Sequence, residues 1–326
     1  MLGSGLFLPR QRVTAPEMEA RLRLPEGWIL RKTGVQTRYI ANPEEETNAF
    51  MGARAAERAL HTAGLELADM DLLICASGTF QQPIPCTAAL IQRELGGGES
   101  GIPAFDVNST CLGFIVALDL AASLISGGRF RRILIVSAET ATCGLDWDEP
   151  ELCALFGDGA AAFVVGPPTD PGQGILHARL ETFSSGADVC RIEGGGTKLY
   201  GTRCNESNRK RYFFTMDGPA IHRQASRRMP VFLNRFLGEA GIGLEQIDHV
   251  VPHQAGVVPM TILRKKLGIP AERFVMTVQD HGNLIAASIP AALHLAILDG
   301  RIRRGQRLLA VGTSAGFSMG ALLIDY

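Results

Sequence analysis

Short apolar runs alternate along the chain with longer stretches in which apolar positions recur every three to four residues. The runs lie at 72–77 (LLICAS), 104–108 (AFDVN), 132–138 (RILIVSA), 160–166 (AAAFVVG), 249–252 (HVVP), 307–312 (RLLAVG) and 320–326 (GALLIDY). Their length and branched, apolar composition predict strands. Helical periodicity covers 111–127, 219–240 and 283–299. Strands and helices in alternation predict an α/β architecture.

The pattern also repeats. Residues 111–132 read CLGFIVALDLAASLISGGRFRR and residues 283–304 read NLIAASIPAALHLAILDGRIRR. At one offset, Leu112, Ile125, Gly128, Arg129, Arg131 and Arg132 recur as Leu284, Ile297, Gly300, Arg301, Arg303 and Arg304. A second echo, in the same order, sets AGLELADMDLLICAS (63–77) against AGIGLEQIDHVVPHQ (240–254). Two ordered echoes predict a duplication, with halves at 1–166 and 167–326. Cys111 and Asn283 then fall at equivalent points, each starting a long helix, and His253 lies just past a strand. Packing around a pseudo-twofold axis would bring these three residues together from distant parts of the chain.

Composition narrows the class. The chain has 326 residues, enough for two fused units, with 46% hydrophobic and 20% charged residues, so a large core is expected and wholesale disorder is not. A formal net charge of -1 offers no field for nucleic acid. No apolar run approaches the ~18 residues of a membrane span. The start, MLGSGLFLPRQR, has no secretory n- and h-regions. Seven cysteines without a CxxC pair read as reduced thiols of a cytoplasmic protein, with neither a disulfide framework nor a zinc site.

Cys111 stands out among the thiols. In DVNSTCLGF it follows a strand and opens an apolar helix. A helix N-terminus carries free N–H groups and partial positive charge, so a lowered thiol pKa is expected there, with donors for an oxyanion. His253 in VVPHQAG and Asn283 in DHGNLIAASIPAAL are weak signals singly. An asparagine after glycine is commonly an N-cap. The three together form a nucleophile with two neutral hydrogen-bond donors.

These motifs, with the closing GTSAGFSMGALL, resemble those of β-ketoacyl-ACP synthase III in the thiolase superfamily. GWILRKTGVQTRYIA (27–41), FGDGAAAFVV (156–165) and LRKKLGI (263–269) extend the resemblance along nearly the whole chain. It implies the thiolase fold, five αβαβα layers from two duplicated halves, usually a homodimer, with no cofactor beyond substrates carried on CoA or acyl carrier protein. It implies that Cys111 takes an acyl group from acyl-CoA or acyl-ACP. His253 and Asn283 would then stabilise the enolate formed by decarboxylation of malonyl-ACP, which attacks the acyl-cysteine. The backbone N–H groups of Cys111 and Ala315 would form an oxyanion hole; many members have glycine at the Ala315 position.

Other positions depart from the family. Trp28 matches the residue that stacks on adenine, and Lys32 stands where an arginine is usual. Pro150 and Val258 replace two further arginines of the acyl-donor entrance. Since neither side chain offers a guanidinium, weaker dependence on the CoA nucleotide is expected. The segment IPCTAALIQ (84–92) matches the family's interface element, so Ile84 is expected at the dimer interface near the acyl tunnel. The glycine-rich stretch 184–215 is expected as a loop over that tunnel. Basic clusters at Arg209–Arg211, Arg223, Arg227–Arg228 and Arg264–Lys266 suit an acidic carrier protein. The alternatives are a cysteine hydrolase, a non-condensing acyltransferase that passes the acyl group from Cys111 to an alcohol or amine, and a catalytically dead structural partner, a class that usually lacks the cysteine present here as Cys111.

Overall fold

The computed structural model describes residues 1–168, 170 and 172–326. Two sheets organise them. The first has five strands in the order Gly3–Phe7, Gly159–Val165, Ile133–Glu139, Leu72–Cys75 and Ala104–Asp106. The second has four, in the order Gly174–Thr182, Ser318–Asp325, Arg307–Ser314 and His249–Pro252. In each sheet the first pairings are antiparallel and the later ones parallel. A parallel bridge between Val250 and Phe274 stands where the fifth strand of the first sheet pairs. The two sheets thus repeat one topology.

Side-chain alternation along the strands sets the layers. Leu72, Ile74, Ile133, Ile135, Leu308, Ala310, Leu322 and Ile324 all join one core between the sheets. That core is filled by the helices Gly113–Ser126 and Ser288–Leu298. The alternate residues Leu73, Cys75, Leu134 and Val136 face a second core under the helix Asn48–Ala63. Leu309, Val311, Ala321 and Leu323 face a third, under the helix Gly218–Ala240. The order is helix, sheet, helix pair, sheet, helix: five layers, as the resemblance implies.

All seven strands expected from the apolar runs are present, with ends shifted by one or two residues at most positions. Gly3–Phe7 and Gly174–Thr182 were not foreseen. Gly3–Phe7 is glycine-rich because a helix crosses it closely. A Cβ on Gly3 would lie 2.4 Å from Ala59 O, and one on Gly5 2.2 Å from Ala55 O. Gly174–Thr182 is an edge strand whose polar alternation masks it.

The stretch 184–215 is not featureless. It contains short 3-10 turns at Ser184–Val189, Gly201–Arg203 and Arg209–Tyr212, and Cys190–Arg191 pairs with Thr215–Met216. Phe183 N donates to Phe317 O at 2.9 Å, which anchors the stretch beside Ala315. Among the described residues no helix is long and apolar enough to cross a membrane.

Candidate active site

Cys111 sits in a 3-10 turn, Thr110–Leu112, that precedes the helix Gly113–Ser126. The corresponding turn of the second half is Ile285–Ala287, ahead of Ser288–Leu298. Thr110 (φ 45°) and Ile285 (φ 47°) open these turns in the same left-handed conformation. The structural equivalent of Cys111 is therefore Ala286. Asn283 lies upstream of the turn, which corrects the equivalence suggested by the sequence echo. The echo holds at the helix C-termini, where Gly128 and Gly300 both have positive φ. The second helix has 11 residues against 14, and the difference is taken up at its start.

The thiol environment also differs from the helix-dipole expectation. Burial pushes the Cys111 thiol up, and the neighbouring Cys190 and Glu139 add to the effect. The backbone N–H groups of Cys111 and Ala315 face the sulfur and act in the opposite sense, but burial wins. Cys111 rests as a thiol, partly accessible, with two backbone donors converging on its sulfur.

His253 follows the strand His249–Pro252 and is buried. Its backbone N–H extends the ladder, donating to Val311 O at 2.8 Å. Burial lowers the imidazole pKa to about 4, so the ring is neutral near pH 7. Its Nδ1 has no partner among the described residues. Gln254, also buried, fixes the turn beyond it. Its Nε2 donates to Pro252 O at 2.8 Å and Val275 O at 3.2 Å, and its Oε1 accepts from Thr277 N at 2.8 Å and Val278 N at 3.1 Å. One saturated amide thus ties the His253 turn to the segment leading to Asn283.

Asn283 is held between halves. Its N–H donates to Leu155 O at 2.9 Å, and its carbonyl accepts from Gly157 N at 3.2 Å. This crossing explains the FGDG glycine, because a Cβ on Gly157 would lie 2.4 Å from His281 O. Asn283 Oδ1 accepts from Ile285 N at 2.9 Å and Ser288 Oγ at 3.3 Å. With the oxygen committed to donors, the amide orientation is set. The Nδ2 group makes no bond to the described residues and remains the free donor.

Close approaches bring the three segments together. A Cβ on Gly312 would lie 2.8 Å from His253 Cβ and 3.2 Å from Leu112 Cδ2. A Cβ on Gly113 would lie 3.3 Å from Ala286 Cβ. Of four non-glycine residues with positive φ among the described residues, Thr110, Ile285 and Phe317 flank Cys111, Asn283 and Ala315, so strain is concentrated here. Gly312→Ala is expected to displace His253 and lower turnover about tenfold or more while the thiol stays alkylatable. Equal turnover by the two proteins would show that this approach is not critical.

The entrance residues also gather. Lys32 Nζ lies 6.0 Å from the Trp28 ring centre and 3.9 Å from Glu151, next to Pro150. A Cβ on Gly34 would lie 2.7 Å from Val257, whose neighbour Val258 is exposed. Ile84 is 84% exposed in the single chain. Lys266 Nζ donates to Ser226 O at 2.7 Å, which places the 264–266 cluster beside Arg227. Arg211 is engaged by Glu193 at 2.6 Å, and Arg228 stacks on Phe183 at 3.9 Å.

Sequence reasoning missed Glu139. It ends the central strand of the first sheet, is fully buried, and accepts hydrogen bonds from both halves. Its one visible signal was an acid closing the otherwise apolar run ILIVSAE. Among the described residues, no group of three or more His, Cys, Asp or Glu is arranged to hold a metal ion.

Comparison with known proteins agrees with this fold. Residues 105–184 match the model for 3-oxoacyl-[acyl-carrier-protein (ACP)] synthase III, and residues 237–326 match that for its C-terminal part. A β-ketoacyl-[acyl-carrier-protein] synthase III of Neisseria meningitidis is 37% identical over 324 residues, covering 99% of this chain and 98% of that one. The crystal structure of 3-oxoacyl-[acyl-carrier-protein] synthase III from Aquifex aeolicus superposes with a TM-score of 0.89 at 35% identity, covering 100% and 99% of the two chains. The priming β-ketosynthase of the R1128 polyketide pathway gives 0.90 at 30% identity, covering 99% and 94%. Full-length identity of this order, together with Cys111, His253 and Asn283 on one repeated topology, means that the chain belongs to the β-ketoacyl-[acyl-carrier-protein] synthase III family.

Proposed function

We propose that this chain is a condensing acyltransferase of fatty-acid, polyketide or related biosynthesis, with Cys111 as the acyl carrier. The supporting observation is the meeting of three segments: the Cys111 turn, whose sulfur faces two backbone N–H groups, the His253 turn with its buried neutral imidazole, and the Asn283 turn with its Nδ2 free. In the first half-reaction Cys111 Sγ bonds to the thioester carbonyl carbon of acyl-CoA or acyl-ACP. The carrier sulfur leaves and takes up the thiol proton. The backbone N–H groups of Cys111 and Ala315 stabilise the oxyanion.

In the second half-reaction malonyl-ACP loses carbon dioxide, and His253 and Asn283 donate to the enolate oxygen. A carboxylate at either position would repel that charge, whereas neutral donors stabilise it. The enolate carbon attacks the acyl-cysteine, the carbon–sulfur bond breaks, and the cysteine sulfur regains a proton from solvent. One acyl thioester, one malonyl-ACP carboxylate and one proton thus give one β-ketoacyl-ACP, carbon dioxide and the free carrier thiol of the primer. We place the nucleophile in a half spanning 1–166 and both donors in a half spanning 167–326, in a cytoplasmic homodimer to which Ile84 contributes. No step in this scheme calls on a metal or prosthetic group. The test is intact-mass analysis after exposure to a panel of acyl-CoAs and acyl-ACPs, followed by malonyl-ACP. A β-ketoacyl-ACP product supports the proposal; acyl transfer from Cys111 to an alcohol or amine alone supports a non-condensing enzyme.

The donor carrier yields a separate expectation. Pro150 cannot stack as a guanidinium does, and Val258 cannot contact a phosphate; Trp28 and Lys32 remain at the entrance. Each loss weakens nucleotide binding by about 1 kcal/mol. With one acyl group held constant, the advantage of acyl-CoA over acyl-pantetheine in acylating Cys111 should therefore be smaller than in family members that carry these arginines. Acyl-ACP should be better, favoured by the basic surface around Arg227 and Arg264–Lys266. An acyl-CoA advantage of several orders of magnitude would sink this reading of the entrance.

A further inference from the structure

Glu139 has four donors on one carboxylate. Oε1 accepts from Gly78 N at 2.6 Å and Ala286 N at 3.3 Å. Oε2 accepts from Thr79 N at 2.8 Å and Thr79 Oγ1 at 2.6 Å. Two carboxylate oxygens offer about four acceptor sites, so the group is saturated as an anion; burial raises its pKa to about 7 against these donors, so it carries its charge above that pH. It has no cation partner among the described residues. Burying such a charge is expensive and is tolerated only where donors replace water. The donors come from two parts of the site. Gly78 and Thr79 follow the strand Leu72–Cys75 of the first half. Ala286 belongs to the turn of the second half that also supplies Ile285 N–H to Asn283 Oδ1.

The packing allows little slack. A Cβ on Gly78 would lie 2.8 Å from Ile285 Cγ2, 3.4 Å from Thr110 Cα and 3.6 Å from Glu139 Oε1. Gly78 is therefore the point where the Cys111 turn, the Asn283 turn and this carboxylate meet. The bonding, however, is unequal. Glu139 is hydrogen-bonded to the Asn283 turn and only stands near the Cys111 turn.

We infer that Glu139 is a positioning residue that holds the turn beyond Asn283 in register with Gly78–Thr79, and so governs carbon–carbon bond formation more than acyl transfer to Cys111. This rests on the role proposed above for Asn283. The chain of contact is short: Glu139 to Ala286 N, the same turn to Asn283 Oδ1, and the fixed amide to its free Nδ2. A purely structural clamp would lower both half-reactions together.

The test is Glu139→Gln in the full-length enzyme with acyl-CoA and malonyl-ACP. An amide keeps the shape but turns an NH2 group against backbone donors. The acyl-enzyme should form at a rate within about threefold of wild type, while release of carbon dioxide and product falls about 10- to 100-fold in kcat. A second readout is pH-dependent alkylation of Cys111. Removing a neighbouring negative charge should shift that profile to lower pH, which a loss of rigidity alone would not do. Equal losses in the two half-reactions, or no loss in either, overturn the inference. If Glu139→Gln does not fold, Glu139→Asp decides: it keeps the charge at shorter reach, and condensation should again fall more than acylation. A wild-type enzyme that acylates Cys111 but never condenses overturns the proposed function, and the inference with it. A wild type that condenses no better than Glu139→Gln overturns the inference alone.

Discussion

Cys111→Ala is expected to give a folded protein that takes up no acyl group from any thioester. The side chain is small, partly accessible and engaged only by backbone donors, so its truncation should change stability by about 1 kcal/mol or less. The other thiols offer no substitute. Cys190, close enough to influence Cys111, is itself pushed up to about 11 by burial. Cys75 is buried in the outer core and pushed higher still. Cys153 is buried and pushed up to about 11, Cys86 is half-buried, and Cys143 and Cys204 are exposed. Intact mass and peptide mapping after exposure to acyl thioesters decide the matter. Acylation that persists in the variant, wherever it maps, would refute Cys111 as the carrier. Because burial disfavours its thiolate, wild-type Cys111 should also alkylate slowly at neutral pH, faster as pH rises.

Asn283→Ala and His253→Ala are each expected to lower condensation by about 100-fold or more, the scale of losing one oxyanion donor. Acylation of Cys111 should persist at least in part, because its donors are backbone groups. Loss of both half-reactions in a folded Asn283→Ala enzyme would end this division of labour. The pH dependence carries a further sign. Burial lowers the His253 pKa from about 6.5 to about 4, so between those values the unfolded chain binds more protons at this site than the folded one. The stability contributed by neutral burial is present above pH 6.5 and is lost as pH falls toward 4. Condensation in wild type should likewise show no break near 6.5 from this residue, and decline only as the ring protonates at lower pH.

How far the chain could be read in advance depended on whether the signal was contiguous. Strands such as Ile133–Glu139 and Arg307–Ser314 are apolar runs buried on both faces, so pattern alone located them. Cys111, His253 and Asn283 were legible because each sits in a local motif of six or more residues. The five layers were implied by the family resemblance, and the echo of one half in the other pointed to the duplication behind them. Glu139 was not legible, since nothing in ILIVSAE tells that its acid will receive Ala286 N–H from 147 positions away. Gly3–Phe7 was also hidden, because its glycines answer to a helix that the strand meets only after folding.

The sequence by itself determined the periodicity of the elements, the repeat that pairs them, and the three side chains able to act as nucleophile and neutral donors. These depend on neighbours along the chain, through backbone propensity and side-chain alternation. Only the tertiary structure decided that the turn equivalent to Cys111 carries Ala286, that the thiol is raised and not lowered, and that a buried carboxylate joins the two halves at Asn283. Those properties sum over atoms from both sheets. Desolvation depends on everything packed around a group, and at Cys111 it outweighs the two backbone N–H groups that face the sulfur.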